Sequence, residues 1–210
     1  MIDFKLYLVT NRALYAAGPL ETVVDQACGA GVRAVQLREK DLSGGDLHSL
    51  AVTMREVTRR TEARLFINER ADIALGVGAD GVHCTESGLP VGLVRRLCPE
   101  ALVGASSHSL ARAVEAGTSG ADFVLFGPVF PTPSKTKYGE PQGLDALCAV
   151  AGGVGVPVFA IGGITPENLA EVLGTGVKRV AVSGAIVTAA DPAAAAGSVL
   201  SGLIGQAGPR

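Results

Sequence analysis

The segment 126–135 reads Phe-Gly-Pro-Val-Phe-Pro-Thr-Pro-Ser-Lys and directly continues the apolar run Phe123-Val124-Leu125-Phe126. Proline fixes φ and removes a backbone donor, so neither a helix nor a sheet ladder continues through it. The result is a stiff loop that holds Thr132, Ser134 and Lys135 at the end of a strand. Hydroxyls beside an ammonium suit an anionic group, most simply a phosphate. An ordinary proline-rich turn with a solvated lysine fits the same residues. A second polar set is Gln36, Arg38 and Lys40, which alternate with Leu37 and Glu39 and so share one face of an extended segment. That face could cradle a polyanion such as pyrophosphate, with the Gln36 amide free to read a heterocycle. A solvated strand end is the plainer reading. Two glycine turns add backbone donors. Gly162-Gly163 precedes a helix expected to start at Pro166 with Thr165 as its N-cap, and Ser183-Gly184-Ala185 follows the last apolar run. Glycine lets N–H groups approach an anion closely, and helix N-termini favour negative charge.

These residues converge only if the elements carrying them repeat, and they do. The segments 31–35, 78–82, 120–124 and 176–180 each run glycine, small apolar residue, two variable residues, apolar residue. Each follows a stretch of helical periodicity, where glycine at C′ takes the left-handed conformation that ends a helix. Four further apolar runs stand at 6–9, 65–67, 102–105 and 158–161, and helical patterns occupy 45–60, 91–97, 110–116 and 166–173. Near-continuous apolar strands alternating with amphipathic helices imply a parallel sheet covered by helices. Eight such units imply a (β/α)8 TIM barrel. No linker divides the chain, so one barrel domain is expected over 1–210, with a small, polar tail at 201–210 that frays.

Composition agrees with that architecture and excludes others. The 210 residues are too few for two large domains, and 48% hydrophobic content is enough for a barrel core and a helix ring. Lys+Arg 18 against Asp+Glu 20 gives a net charge of −2, with no basic field for nucleic acid. No apolar stretch approaches the ~20 residues that span a bilayer. No export signal opens the chain, so a cytoplasmic protein is expected. Cys28, Cys84, Cys98 and Cys148 form no C-x-x-C pair and read as reduced, packed residues. His83 and Cys84 are adjacent, but neighbours on a strand point to opposite faces and would not share a metal. His83 is expected to pack or to orient a loop, and a homo-oligomer is left open.

In such a barrel the chemistry lies at the C-terminal ends of the strands. Read in order, those ends carry Thr10-Asn11-Arg12, the 36–40 segment, Asn68-Glu69-Arg70, His83, Ser106-Ser107-His108, the proline loop, Gly162-Gly163 and Ser183-Gly184. Together with Phe66-Ile67-Asn68, Ala79-Asp80-Gly81-Val82-His83 and the run 180–186, these motifs resemble the thiamine phosphate synthase family. That family also includes the thiazole tautomerases on the same barrel. The resemblance spans about 6–192, and the pairing of Gln-Leu-Arg-Glu-Lys with Pro-Thr-x-Ser-Lys is its specific part.

The resemblance implies a transferase that joins hydroxymethylpyrimidine pyrophosphate to a thiazole phosphate and releases pyrophosphate. Gln36, Arg38, Lys40, Ser106, Lys135 and a magnesium ion would hold the pyrophosphate. Gly163, Ser183 and Gly184 would hold the thiazole phosphate, and Asn68, Thr132 and Ser134 would complete the substrate site. Two positions depart from the family's pattern. Glu69 stands where an aspartate is usual, leaving it as the one close metal ligand. Gly88 stands where a second carboxylate ligand is usual. The second departure favours the tautomerase, which needs no pyrophosphate and hence no metal. His108 would move protons in that isomerisation, but it does not discriminate, because many synthases carry it too. A histidine that merely bonds local backbone fits the position as well. The synthase is the expected function, the tautomerase the alternative, and a non-catalytic binder of thiamine-related phosphates the third reading.

Overall fold

The computed structural model describes residues 2–15, 18–132 and 140–205. Strands β1 (Leu6–Val9), β2 (Ala34–Leu37), β3 (Arg64–Asn68), β4 (Gly81–Cys84), β5 (Leu102–Ser107), β6 (Phe123–Phe126), β7 (Val158–Ile161) and β8 (Val180–Val182) pair in sequence order and close on themselves. Every ladder is parallel, including β1 with β8. Between them run α1 (Leu20–Gly29), α2 (Gly44–Arg60), α3 (Ala71–Val77), α4 (Val91–Leu97), α5 (Leu110–Thr118), α6 (Gly143–Gly153) and α7 (Leu169–Gly174). The short α8 (Gly184–Val187) and α9 (Pro192–Gly205) follow β8. The expected (β/α)8 TIM barrel is the observed fold.

The strands separate two apolar layers. Residues facing outward, such as Leu8, Val35, Leu37 and Val124, join the helices in the larger core. Residues facing inward fill the barrel with rings: Phe4 meets Tyr7, Phe66, Phe123 and Phe159 at centroid distances of 5.2–5.9 Å. Phe4 precedes β1, so this plug sits at the N-terminal end of the barrel and leaves the other end for polar groups. Gly81 and Gly104 make the rings fit. A Cβ at Gly81 would lie 2.4 Å from the Phe66 ring, and one at Gly104 would lie 2.5 Å from Phe123.

The repeated glycines behave as the sequence implies. Gly31, Gly78, Gly120 and Gly176 all have positive φ, between 61° and 111°, where a side chain would be strained. The third residue of two repeats proves to be structural. Asp80 accepts the Leu65 N–H at 2.7 Å and pairs with Arg55 at 2.6 Å. Asp122 accepts the Val103 N–H at 2.7 Å and pairs with Arg95 at 2.5 Å. Each aspartate ties the start of a neighbouring strand to a helix at the end opposite the polar mouth. A cleft of about 390 Å³ lined partly by Arg33, Arg55, Arg59 and Arg64 opens there. Three of these arginines serve the fold, since Arg55 and Arg64 are paired with Asp80 and Asp3, and Arg33 bonds backbone carbonyls.

Two expectations need correction. The helix after Gly162-Gly163 starts at Leu169, not Pro166, and Thr165 is not its cap. Asn168 is the reason: its Oδ1 accepts the Thr165 N–H at 2.9 Å and its Nδ2 donates to the Gly163 carbonyl at 2.8 Å. A side chain bonded back into the turn holds the preceding residues out of the helix. The tail does not fray from Ser201, because α9 continues to Gly205. Ala196, Val199 and Leu203 lie on one face of it and are buried in the core. Residues 206–210 lie outside the described residues.

Candidate active site

The C-terminal mouth is built strand by strand. At β1 and β2, Thr10 and Glu39 form a buried tie. The Thr10 hydroxyl donates to Glu39 Oε1 at 2.6 Å, the Arg12 N–H donates to Glu39 Oε2 at 2.9 Å, and Thr10 Oγ1 accepts the Arg38 N–H at 3.0 Å. Burial pushes the Glu39 carboxyl upward, against the pull of the Thr10 and Arg12 donors. Gln36 faces the barrel interior, where its Nε2 donates to the Tyr7 hydroxyl at 3.3 Å, and β2 ends at Leu37, so Lys40 already lies in a turn. Arg38 is half-buried and Lys40 exposed.

At β3, Glu69 adopts a left-handed φ of 62°, uncommon for a residue with a side chain. This turns its carboxylate back over the mouth. Oε2 accepts from Asn68 Nδ2 at 3.0 Å and stands 3.6 Å from Lys40 Nζ, while Oε1 accepts from the Thr85 hydroxyl. Burial works to raise its pKa, but Thr85, Lys40 and Asn68 outweigh it and hold the carboxylate below its ordinary value. Asn68 Oδ1 is buried without a hydrogen-bond partner among the described residues. A Cβ at Gly88 would lie 3.0 Å from Glu69 Oε1. Position 88 therefore faces the Glu69 carboxylate. Among the described residues no group of three or more His, Cys, Asp or Glu side chains could hold a metal ion. Cys28, Cys84 and Cys98 are buried, as packed residues should be, but Cys148 is exposed on α6 and does not pack as expected.

At β4 and β5, His83 is buried inside the barrel with Nε2 2.9 Å from Ser106 Oγ. Its ring nitrogens are withdrawn from water, and the Arg38 cation opposes a further charge, so its pKa falls to about 3. Burial inside the mouth makes His83 the site residue that sequence reasoning left without a specific role. Its alternation with Cys84 was the available signal. His108 follows β5 and is exposed, with its N–H donating to Glu86 Oε1 at 2.9 Å and its Nδ1 against the Gly127 carbonyl oxygen. A carbonyl oxygen can only accept, so Nδ1 carries a proton and donates it to Gly127 in a hydrogen bond.

The proline loop starts with a cis Gly127-Pro128 bond and extends the β7 ladder. The Val129 N–H donates to the Ile161 carbonyl at 2.9 Å, and the Phe130 N–H to the Gly162 carbonyl at 3.0 Å. Glycine is required on the other side: a Cβ at Gly162 would lie 2.5 Å from Pro128, and one at Gly163 2.7 Å from Phe130. The double glycine thus serves loop packing as well as any approach by an anion. Thr132 is half-buried at the loop's described end, and Ser134 and Lys135 lie outside the described residues. Ser183 precedes α8 without a side-chain cap, and the Cβ position of Gly184 meets no other group within 4 Å.

The strand ends thus carry three contact groups: Lys40, Glu69, Asn68 and Thr85 in one, Ser106 with His83 in the next, and His108 with Gly127 in the third. Asn168, which ties the Gly163 turn, and Thr85 are participants that spacing alone did not indicate.

Residues 6–186 match the family model described as thiamine monophosphate synthase. A putative thiamine-phosphate synthase of Geobacter sulfurreducens is 48% identical, covering 95% of this chain and 94% of that protein. The thiamine-phosphate synthase of Chloroflexus aurantiacus is 40% identical over 93% of this chain and 91% of its own length. The solved thiamine phosphate pyrophosphorylase from Pyrococcus furiosus superposes with a TM-score of 0.88 at 36% identity, covering 95% of each chain. With its barrel closed and its strand-end motifs gathered at one mouth, the chain belongs to the thiamine monophosphate synthase family.

Proposed function

We propose that this chain is the transferase that condenses hydroxymethylpyrimidine pyrophosphate with thiazole phosphate to thiamine phosphate and pyrophosphate. The observation that carries the reading is the gathering of Arg38, Lys40 and Ser106 around one barrel mouth. In this reading pyrophosphate leaves first. The bond between the benzylic-type carbon and the pyrophosphate oxygen breaks, the electron pair goes to the oxygen, and the ring amino group stabilises the pyrimidine cation. The thiazole nitrogen then attacks that carbon.

The protein's part is to clamp the leaving group and to position the nucleophile. Arg38, Lys40, Ser106 and Lys135 receive the pyrophosphate charge. Gln36, anchored by Tyr7, joins them at the pyrophosphate, and Asn68, Thr132 and Ser134 complete the substrate site. Gly163, Ser183 and Gly184 take the thiazole phosphate. The unpartnered Asn68 oxygen and the ionised Glu69 suit a magnesium ion held chiefly by the substrate's phosphates. Such an ion would neutralise charge on the departing pyrophosphate.

The substrates are small phosphorylated molecules, and no helix among the described residues is long and apolar enough to cross a membrane. A cytoplasmic enzyme without nucleic-acid partners follows from this reading. One assay tests it: both substrates together, with and without magnesium, following pyrophosphate and thiamine phosphate. Equal release of the two products supports the synthase. Isomerisation of a thiazole carboxylate phosphate without pyrophosphate release replaces it with the tautomerase. That reading is favoured by Gly88 at the second metal position. Phosphate binding without turnover of either kind would leave the non-catalytic binder.

A further inference from the structure

His83 is a polar side chain on the inner wall of the barrel, 1% exposed, with its ring against Tyr7 and Phe123 at centroid distances of 6.0 Å. Gly104, its register partner on β5, leaves room for it: a Cβ there would lie 2.6 Å from His83 Nδ1. The two ring nitrogens meet different surroundings. Nε2 stands 2.9 Å from Ser106 Oγ, and Nδ1 is buried with no hydrogen-bond partner among the described residues. A buried N–H without an acceptor is rarer in native proteins than an acceptor left short of donors. A doubly protonated ring would bury a charge together with that unpartnered N–H. The proton therefore belongs on Nε2, which donates to Ser106 Oγ. Once the serine oxygen accepts this bond, its own O–H must point elsewhere.

We propose that His83 is a positioning residue that turns the Ser106 hydroxyl outward as a donor to the anionic leaving group. The proposal rests on the synthase reading, in which Ser106 meets the pyrophosphate. The tautomer sets the sign of the dipole at the mouth. With the proton on Nε2, Ser106 offers hydrogen to an oxyanion. With the proton on Nδ1, Ser106 would donate to His83 and present lone pairs to the same oxyanion.

The sequence contains three histidines, so the test is tractable. Long-range proton–nitrogen NMR correlation on the wild-type protein reports the tautomer, with the His83 signals assigned by their loss in His83→Gln. The expected result is the Nε2-protonated pattern. A double-mutant cycle then joins His83→Phe, which keeps a ring beside Tyr7 and Phe123, with Ser106→Ala. His83→Phe is expected to lower synthase kcat/KM by about tenfold in the wild-type background, as befits one oriented hydrogen bond. It should cause no further loss on Ser106→Ala, and His83→Gln, which keeps an N–H of similar reach, should recover most of the loss. An Nδ1-protonated ring, or losses that multiply across the cycle, overturns the role of His83. If His83→Phe fails to fold, the tautomer of the wild-type protein still decides. Absence of synthase turnover in the wild-type protein overturns the synthase reading itself, so the two failures are separable.

Discussion

At the residue scale, three substitutions probe separate parts of the proposed chemistry. Lys135→Ala removes a cation from the proposed leaving-group clamp. Synthase kcat should fall by about 10²-fold or more with little change in thermal stability, since preorganised charge on the departing group is a large catalytic contribution. Near wild-type pyrophosphate release would remove Lys135 from that role. His108→Gln separates synthase from tautomerase. Bond formation through a cation needs no side-chain base here, so a modest loss is expected, whereas loss of a general acid–base costs about 10²–10⁴-fold. A collapse of the only measurable activity, with no pyrophosphate formed, would point to the isomerase. Gly88→Asp places a second carboxylate beside Glu69, whose Oε1 lies 3.0 Å from the Cβ position. Like charges at that range destabilise the metal-free protein. The variant should therefore melt lower than wild type without magnesium and gain more from magnesium with pyrophosphate. A melting temperature indifferent to magnesium in the variant would show that position 88 does not complete the metal site.

At the element scale, the barrel depends on ties that the repeats encode. Asp122 satisfies the Val103 N–H and the Arg95 side chain at once. Asp122→Ala strands the Val103 N–H and breaks the ion pair, although Arg95 keeps the Gly120 and Ala101 carbonyls, and should lower unfolding free energy by about 1–3 kcal/mol, read from the urea midpoint. Activity per folded molecule should stay close to wild type, because the tie lies at the end of the barrel opposite the mouth. A loss of turnover without a loss of stability would contradict that placement. The four repeat glycines were readable because only a left-handed residue ends those helices cleanly. The aspartates were not, because the same short acidic side chain also suits a solvated turn. The start of α7 was misplaced for a related reason. Thr165-Pro166 is a good local start signal, yet Asn168 bonds back to Thr165 and Gly163 and delays the helix.

At the scale of the whole molecule, the buried His83 couples stability to pH. Its folded pKa of about 3 lies below the ordinary 6.5, so the unfolded chain binds the proton more readily. Its contribution is fully present above pH 6.5 and is lost as pH falls from there towards 3, at up to about 1.4 kcal/mol per pH unit. The lowered Glu69 carboxyl acts in the same sense at more acid pH, while the raised Glu39 carboxyl favours folding only until it ionises. Denaturant unfolding at a series of pH values should show a shallower acid limb for His83→Gln than for wild type. Parallel limbs would mean that the ring is protonated in the folded protein.

The sequence by itself determined the parallel barrel, the order of its strands and which residues stand at their C-terminal ends. Those follow from periodicities and turn residues that act over a few positions. The family followed from the same strand ends, because Gln36, Arg38, Lys40, Thr132 and Ser134 are recognisable without knowing what they touch. Only the tertiary structure decided the partnerships: Thr10 with Glu39, Glu69 with Thr85, and His83 with Ser106. It also decided that the Asn68 oxygen beside Glu69 has no hydrogen-bond partner among the described residues. Each of these depends on strand register, on barrel closure and on the space left by Gly104 and Gly88. A hydrogen bond forms only when both atoms arrive within about 3 Å, and that condition joins residues on different strands that no local pattern relates.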